Sequence, residues 1–197
     1  MKKRLHEMAP GGPCAWFDLE IPPSDRVVLV DRDGTLHQKA PEGNYISTRE
    51  QVELRSDALD ALHAVTNSAI PIVIVTNQGG VAKGLFSMDA VKDIYDELTS
   101  QLSSFGIALS GIVVCPHHPS VTVCRCRKPL PAMIEIVLEQ FSANPSESVF
   151  IGDSETDSQT AQAASIRFVD VTDHIQLADL ALRLVPQCDD LVQPKTS

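Results

Sequence analysis

The residues best suited to chemistry stand in Asp31-Arg32-Asp33-Gly34-Thr35, directly after the apolar run Val27-Val28-Leu29-Val30. Two carboxylates so close repel unless a cation or a shared proton relieves them. Asp31 and Asp33 therefore predict a hard divalent ion, most simply magnesium with its preference for oxygen ligands. A carboxylate held at such an ion can attack phosphorus and form an aspartyl-phosphate, while its neighbour carries the proton. An ordinary acidic turn and the start of an EF-hand compete with this reading. The EF-hand fails because its sixth position is Leu36 instead of glycine, and because a strand pattern precedes the motif where a helix should be.

Three further groups agree with the first. Thr76-Asn77-Gln78-Gly79-Gly80 follows the run Ile72 to Val75, and offers a hydroxyl, amides and bare backbone N–H groups to a phosphate. Gly152-Asp153-Ser154-Glu155-Thr156-Asp157 follows Ser148 to Ile151. Asp153 can complete the carboxylates of the ion, and Asp157, one helical turn on, can brace Lys128, hold an ion-bound water, or simply sit as a helix-start charge. Between these lies Cys115-Pro116-His117-His118, with Cys124 and Cys126 following. Three thiolates and one imidazole, from either His117 or His118, make a closed tetrahedral set for zinc without an open position, which is a structural site. Arg127 and Lys128 beside it form a local positive island suited to phosphate, against the plainer reading of a solvated surface pair.

Elements must bring these groups together. Val27 to Val30 does not alternate, so it predicts a strand buried on both faces, as in the parallel sheet of an α/β domain with a crevice beyond its carboxyl ends. Runs at 72–75, 112–114, 148–151 and 166–171 predict four more strands. Ser56 caps a helix carrying Leu59, Leu62 and Val65. Ser87 opens another with Val91, Ile94, Leu98, Leu102 and Phe105 on one stripe, closed by Gly106. Pro129 and Pro131 start a third through Phe141, and residues 174–184 predict a terminal helix. Residues 1–25 read as a loose leader packed around Trp16 and Phe17, residues 26–185 as the domain and residues 186–197 as a polar tail. The polar excursion 37–51 lies over the crevice, where Tyr45 either shapes the pocket or anchors the loop.

With 197 residues and 43% of them apolar, the chain predicts one globular domain. A formal net charge of −10 argues against nucleic acid or an anionic membrane as partner, since either wants a basic face. No apolar run reaches the length of a membrane span. Five cysteines, an odd number, with three gathered beside histidine, point to metal and a reducing compartment. The expectation is a cytosolic monomer.

Taken in order, Asp31-Arg32-Asp33-Gly34-Thr35, Thr76-Asn77-Gln78, Lys128 and Gly152-Asp153 with Asp157 resemble the four motifs of the haloacid dehalogenase-like (HAD-like) phosphatases, over roughly 27–171. The cysteine loop resembles the branch that holds heptose bisphosphate phosphatases and histidinol-phosphate phosphatases. The resemblance implies a three-layer Rossmann-like fold with a central parallel sheet, a minimal cap and a zinc-binding loop. It implies that Asp31 is the nucleophile, Asp33 the general acid and base, and that Thr76 and Lys128 hold the transferring phosphoryl group. Magnesium would sit on Asp31, the Asp33 carbonyl and Asp153, and zinc on Cys115, His117, Cys124 and Cys126. Tyr45, Asn77, Gln78 and Arg127 would meet a small phosphorylated sugar. Thr76 to Gly84 and the paired histidines lean toward the heptose enzymes, and the short gap from Cys115 to Cys124 toward the histidinol enzymes. Gly79 stands where a serine is usual, Ser154 where a basic residue is usual, and Glu42 where an aspartate is expected. A zinc-stabilised binding protein without turnover is the reading from another class.

Overall fold

The computed structural model describes residues 3–7, 12–66 and 70–177. Seven strands form one sheet: β1 (Lys3–Glu7), β2 (Cys14–Asp18), β3 (Val28–Val30), β4 (Ile72–Asn77), β5 (Gly111–Cys115), β6 (Val149–Gly152) and β7 (Arg167–Asp170). Their order is β1-β2-β5-β4-β3-β6-β7. From β5 to β7 every neighbouring pair is parallel, and β2 joins β5 antiparallel. The chain runs outward from β3 through β4 to β5, then returns to the other side of β3 for β6 and β7. That reversal opens a crevice at the carboxyl ends of β3 and β6.

Helices α1 (Ser56–Thr66), α2 (Met88–Ser104), α3 (Ala132–Phe141) and α4 (Glu155–Ala163) cover the faces. Val28, Val30, Ile72, Ile74, Ile112 and Val114 pack with Leu62, Val65, Val91, Ile94 and Leu98 on one side. Leu29, Val73, Val75, Val113 and Cys115 pack with Met133, Ile134, Val137, Phe141 and Ala161 on the other. Both faces of each central strand are thus buried, which is why their residues do not alternate. Ser87 caps α2 by accepting from the Ala90 N–H at 3.2 Å, and Gly106 takes φ +75° just past its end. Phe105 departs from the expected stripe: it is 46% exposed.

Within residues 1–25, read as a loose leader packed around Trp16 and Phe17, the two rings are indeed buried, but the segments 3–7 and 14–18 are strands of the sheet instead of loose chain. Lys3–Glu7 and Cys14–Asp18 extend the sheet at its β5 edge. Trp16 and Phe17 are buried on opposite faces, and Phe17 meets Phe141 edge-on at 5.9 Å between centroids. Gly111 admits this strand, since a Cβ there would lie 2.6 Å from Phe17 Cδ1. Helix α4 had no strong signal either, because of its residues only Asp157, Thr160 and Ala161 are buried. The terminal helix begins at His174. Its continuation past Leu177, and the tail from 186, lie outside the described residues. No helix among the described residues is long and apolar enough to cross a membrane.

Candidate active site

Asp31 follows β3 and its N–H donates to the Ile151 carbonyl at 2.9 Å, which ties the end of β3 to β6. Asp153 follows β6, Thr76 and Asn77 end β4, and Asp157 stands in the first turn of α4. Lys128 comes from the connection between β5 and α3, and Asn77 holds it in place. The Asn77 amide donates to the Lys128 carbonyl at 3.2 Å, and its Oδ1 accepts from the Lys128 N–H at 3.1 Å. The Lys128 ammonium then donates to Asp31 Oδ1 at 2.6 Å, Asp157 Oδ1 at 2.6 Å and the Val75 carbonyl at 3.1 Å. All three of its protons are spent, so it cannot swing away without leaving buried acceptors bare.

Burial pushes the Asp31 carboxyl up to about 7, and Asp157 and Asp33 add to this against the pull of Lys128. Burial lowers Lys128, yet Asp31 and Asp157 outweigh it and hold the ammonium above its ordinary value. Asp31, Asp153 and Asp157 each bring a ligand oxygen within 4.8 Å of the others. One buried ammonium among three carboxylates leaves surplus negative charge. Asp153 Oδ1 is buried with no hydrogen-bond partner, while Oδ2 accepts from Lys39 Nζ at 3.1 Å. Gly34, at φ +91°, makes room for that carboxylate, because a Cβ would lie 2.3 Å from Asp153 Oδ2. Clustered carboxylates with an orphaned oxygen fit a hard divalent cation.

Asp33 is built differently. Its carboxylate accepts from Arg32 Nε at 3.0 Å, Arg32 Nη2 at 2.8 Å and Gln78 Nε2 at 2.7 Å. Burial alone would raise its pKa, but the Arg32 guanidinium outweighs that and holds it below its ordinary value. Arg32 is buried and also donates to Gln78 Oε1 at 3.0 Å and the Ile46 carbonyl at 3.3 Å. Gln78 further donates to Thr76 Oγ1 at 2.8 Å. His37 lies behind, with Nε2 3.7 Å from Asp33 Oδ1 and its own pKa lowered by burial. The carboxylate of Asp33 is thus outside the three-carboxylate group, where Asp157 takes part instead, and only its main-chain carbonyl remains for the expected ion contact.

A cavity of about 500 Å³ opens beside these groups, and Asp33, Lys39, Tyr45, Asn77 and Gln78 are among its lining residues. Tyr45 stacks obliquely on Phe86 at 5.7 Å between centroids, and its hydroxyl accepts from Lys83 at 3.0 Å. Tyr45 is both anchor and wall. Arg127 lines a separate hollow of about 280 Å³ with Cys124, Lys128 and Pro129, and its Nη1 donates to the His117 carbonyl at 2.9 Å.

The four expected zinc ligands converge. Cys115 Sγ is 3.6 Å from His117 Nδ1 and 3.7 Å from Cys124 Sγ, and Cys126 Sγ is 3.4 Å from His117 Nδ1. Zinc bonds of about 2.3 Å to sulfur and 2.0 Å to nitrogen imply tetrahedral edges of roughly 3.8 Å and 3.5 Å, so the group fits that ion. His118 turns away to Ser120 at 2.7 Å, which decides between the two histidines. The neighbouring Cys126 pulls the Cys115 thiol down to about 5, and Cys115 in turn pushes the Cys126 thiol up.

Residues 29–171 match the family model described as "Haloacid dehalogenase-like hydrolase". The chain belongs to that family. Its relatives include the D-glycero-beta-D-manno-heptose-1,7-bisphosphate 7-phosphatase of Yersinia pestis, 31% identical over 145 residues, which are 71% of this chain and 76% of the relative. The D-glycero-alpha-D-manno-heptose-1,7-bisphosphate 7-phosphatase of Photorhabdus laumondii is also 31% identical, over 72% of this chain and 79% of the relative. The D,D-heptose 1,7-bisphosphate phosphatase of B. bronchiseptica, solved with magnesium and phosphate, aligns with TM-score 0.67 and 29% identity over 74% of this chain and 79% of that one. A HAD-like protein of Mesorhizobium loti shares the fold across 91% of this chain and 96% of its own, with TM-score 0.80 at 23% identity. The chain is accordingly a phosphoric monoester hydrolase of the HAD-like family.

Sequence reasoning did not single out Arg32, His37 or Lys39. An arginine between two aspartates is the one signal that pointed to Arg32. His37 and Lys39 sit in a segment that reads as an ordinary polar loop.

Proposed function

We propose that this chain is a magnesium-dependent phosphatase that removes the C7 phosphate of D-glycero-D-manno-heptose 1,7-bisphosphate through an aspartyl-phosphate on Asp31. The observation that carries this reading is the meeting of Asp31, Asp153 and Asp157 around the fixed ammonium of Lys128, at the crevice of a sheet shared with heptose bisphosphate phosphatases. A binding protein without turnover has no use for a buried carboxylate cluster that costs stability until charge is supplied.

In this mechanism a carboxylate oxygen of Asp31 forms a bond to phosphorus as the bond from phosphorus to the sugar oxygen breaks. Lys128 and the Thr76 hydroxyl stabilise the charge on the phosphoryl oxygens. Thr76 Oγ1 already accepts from Gln78, so its own proton is free for the phosphoryl group. Asp33 gives a proton to the leaving sugar oxygen, then removes one from the water that attacks phosphorus and regenerates Asp31. The arriving phosphate dianion adds negative potential at Asp33 and so offsets Arg32, favouring the protonated acid the first step needs. Magnesium held by Asp31, Asp153 and the Asp33 carbonyl would supply the further positive charge that the transferring group requires. Zinc on Cys115, His117, Cys124 and Cys126 would fix the loop that presents Arg127 and Lys128. Tyr45, Asn77, Gln78 and Arg127 would contact the sugar, with Asn77 acting mainly through Lys128.

The test is orthophosphate release, with magnesium, from both anomers of the heptose bisphosphate and from histidinol phosphate. A heptose bisphosphate should give the highest kcat/KM. Faster turnover of histidinol phosphate would overturn the substrate assignment, and turnover of none would favour the binding protein.

A further inference from the structure

We propose that Lys39 is a detachable cation that shares Asp153 with the divalent ion, so that ion binding frees its ammonium to meet an anionic group of a ligand in the adjoining cavity. The inference rests on the reading of Asp31 and Asp153 as ion ligands.

Two lysines reach the carboxylate group, and they are built in opposite ways. Lys128 is buried, and each of its protons has an acceptor on the protein. Lys39 touches the group only at its tip, through Asp153 Oδ2 at 3.1 Å, and 61% of its side chain is exposed. A pair of that kind contributes little and breaks readily, since the freed ammonium regains water. The other oxygen of the same carboxylate, Oδ1, is buried without a partner. Asp153 is thus half neutralised, by a charge that can leave.

The place to which Lys39 can move already exists. It lines the cavity of about 500 Å³ together with Asp33, Tyr45 and Gln78. Gln38 before it and Pro41 to Asn44 after it are exposed, with Ala40 packed against the core, and Gly43 lies in the left-handed region at φ +81°. A divalent ion arriving at Asp153 sets like charge beside the ammonium and weakens its hold. The displaced ammonium then adds positive charge to a cavity whose other charged lining residues are Asp33 and Glu42. Ion and anion each favour the arrangement that suits the other, and such coupling is reciprocal.

The experiment titrates Mn²⁺ into ion-stripped wild-type protein and Lys39→Met, by calorimetry and by the electron paramagnetic resonance of free Mn²⁺, with and without orthophosphate. Without phosphate, Lys39→Met should bind Mn²⁺ roughly two- to fivefold more tightly, the range expected for loss of an exposed ion pair. Orthophosphate should tighten Mn²⁺ binding less in Lys39→Met than in wild type, and Lys39→Arg should restore wild-type behaviour in both titrations. Equal Mn²⁺ affinity in wild type and Lys39→Met would overturn the inference while leaving the ion site standing. Failure of the wild-type protein to bind Mn²⁺ would overturn the ion-ligand reading itself, and this inference with it.

Discussion

Replacing Asp31 by asparagine should abolish turnover and at the same time stabilise the ion-free protein above neutral pH. The side chain keeps its shape, and the amide oxygen that takes the place of the carboxylate can still accept from Lys128, but the buried charge is gone. Burial, with Asp157 and Asp33 nearby, raises the Asp31 carboxyl from 3.8 to about 7 in the fold. At about 1.4 kcal/mol for each tenfold, the ionised form costs on the order of 4 kcal/mol. A carboxyl raised on folding binds its proton more tightly in the native state, so its stabilising contribution is present below pH 4 and is lost as pH rises through 7. The gain in Asp31→Asn over wild type should therefore be absent near pH 4, grow across pH 4 to 7, and level off above it. Urea unfolding in chelator at several pH values measures this directly, beside orthophosphate release with magnesium. Magnesium should stabilise wild type, by about 2.7 kcal/mol at a hundredfold excess over Kd, and stabilise the variant less. A variant no more stable than wild type at pH 8 in chelator would refute the electrostatic argument. Unchanged turnover would refute the nucleophile.

Gly34→Ala should lower both stability, by about 1–3 kcal/mol for an alanine forced to positive φ, and Mn²⁺ affinity, because its Cβ would lie 2.3 Å from Asp153 Oδ2; equal Mn²⁺ affinity in calorimetry would show that Asp153 is no ligand. Wild-type protein should carry about one zinc by elemental analysis and lose melting temperature in a strong chelator, whereas Cys126→Ser should carry less and respond little to it. Metal-free wild type of undiminished stability would remove the zinc assignment.

The central layout was legible in the residues. Unalternating runs such as Val27 to Val30 and Ile72 to Val75 read as doubly covered parallel strands, because burial on both faces removes the need for polar residues there. The motifs at Asp31, Thr76 and Asp153 each followed such a run, so their positions at the strands' carboxyl ends came with the strands, whereas Lys128 stands on the connection between β5 and α3. The group of Cys115, His117, Cys124 and Cys126 was readable because a tetrahedral set needs few residues and they lie close in the chain. Edge strands Lys3–Glu7 and Cys14–Asp18 were not readable. Cys14–Asp18 takes its place only through partners about a hundred residues away at Gly111 to Val114, and Lys3–Glu7 pairs in turn with Cys14–Asp18.

By itself, then, the order of residues marked out Asp31, Asp33, Thr76, Lys128, Asp153 and the Cys/His group and most of the elements that carry them, since local pattern and residue chemistry decide both, but it left Arg32, His37 and Lys39 unmarked. Only the tertiary structure decided how they divide the work. It turned the Asp33 carboxylate to Arg32 and Gln78, set Asp157 on Lys128, chose His117 over His118, and laid Lys39 against Asp153. These choices are distance-dependent contests among charges and hydrogen-bond partners far apart in sequence, and they have no outcome until folding brings the competitors within a few ångströms of one another.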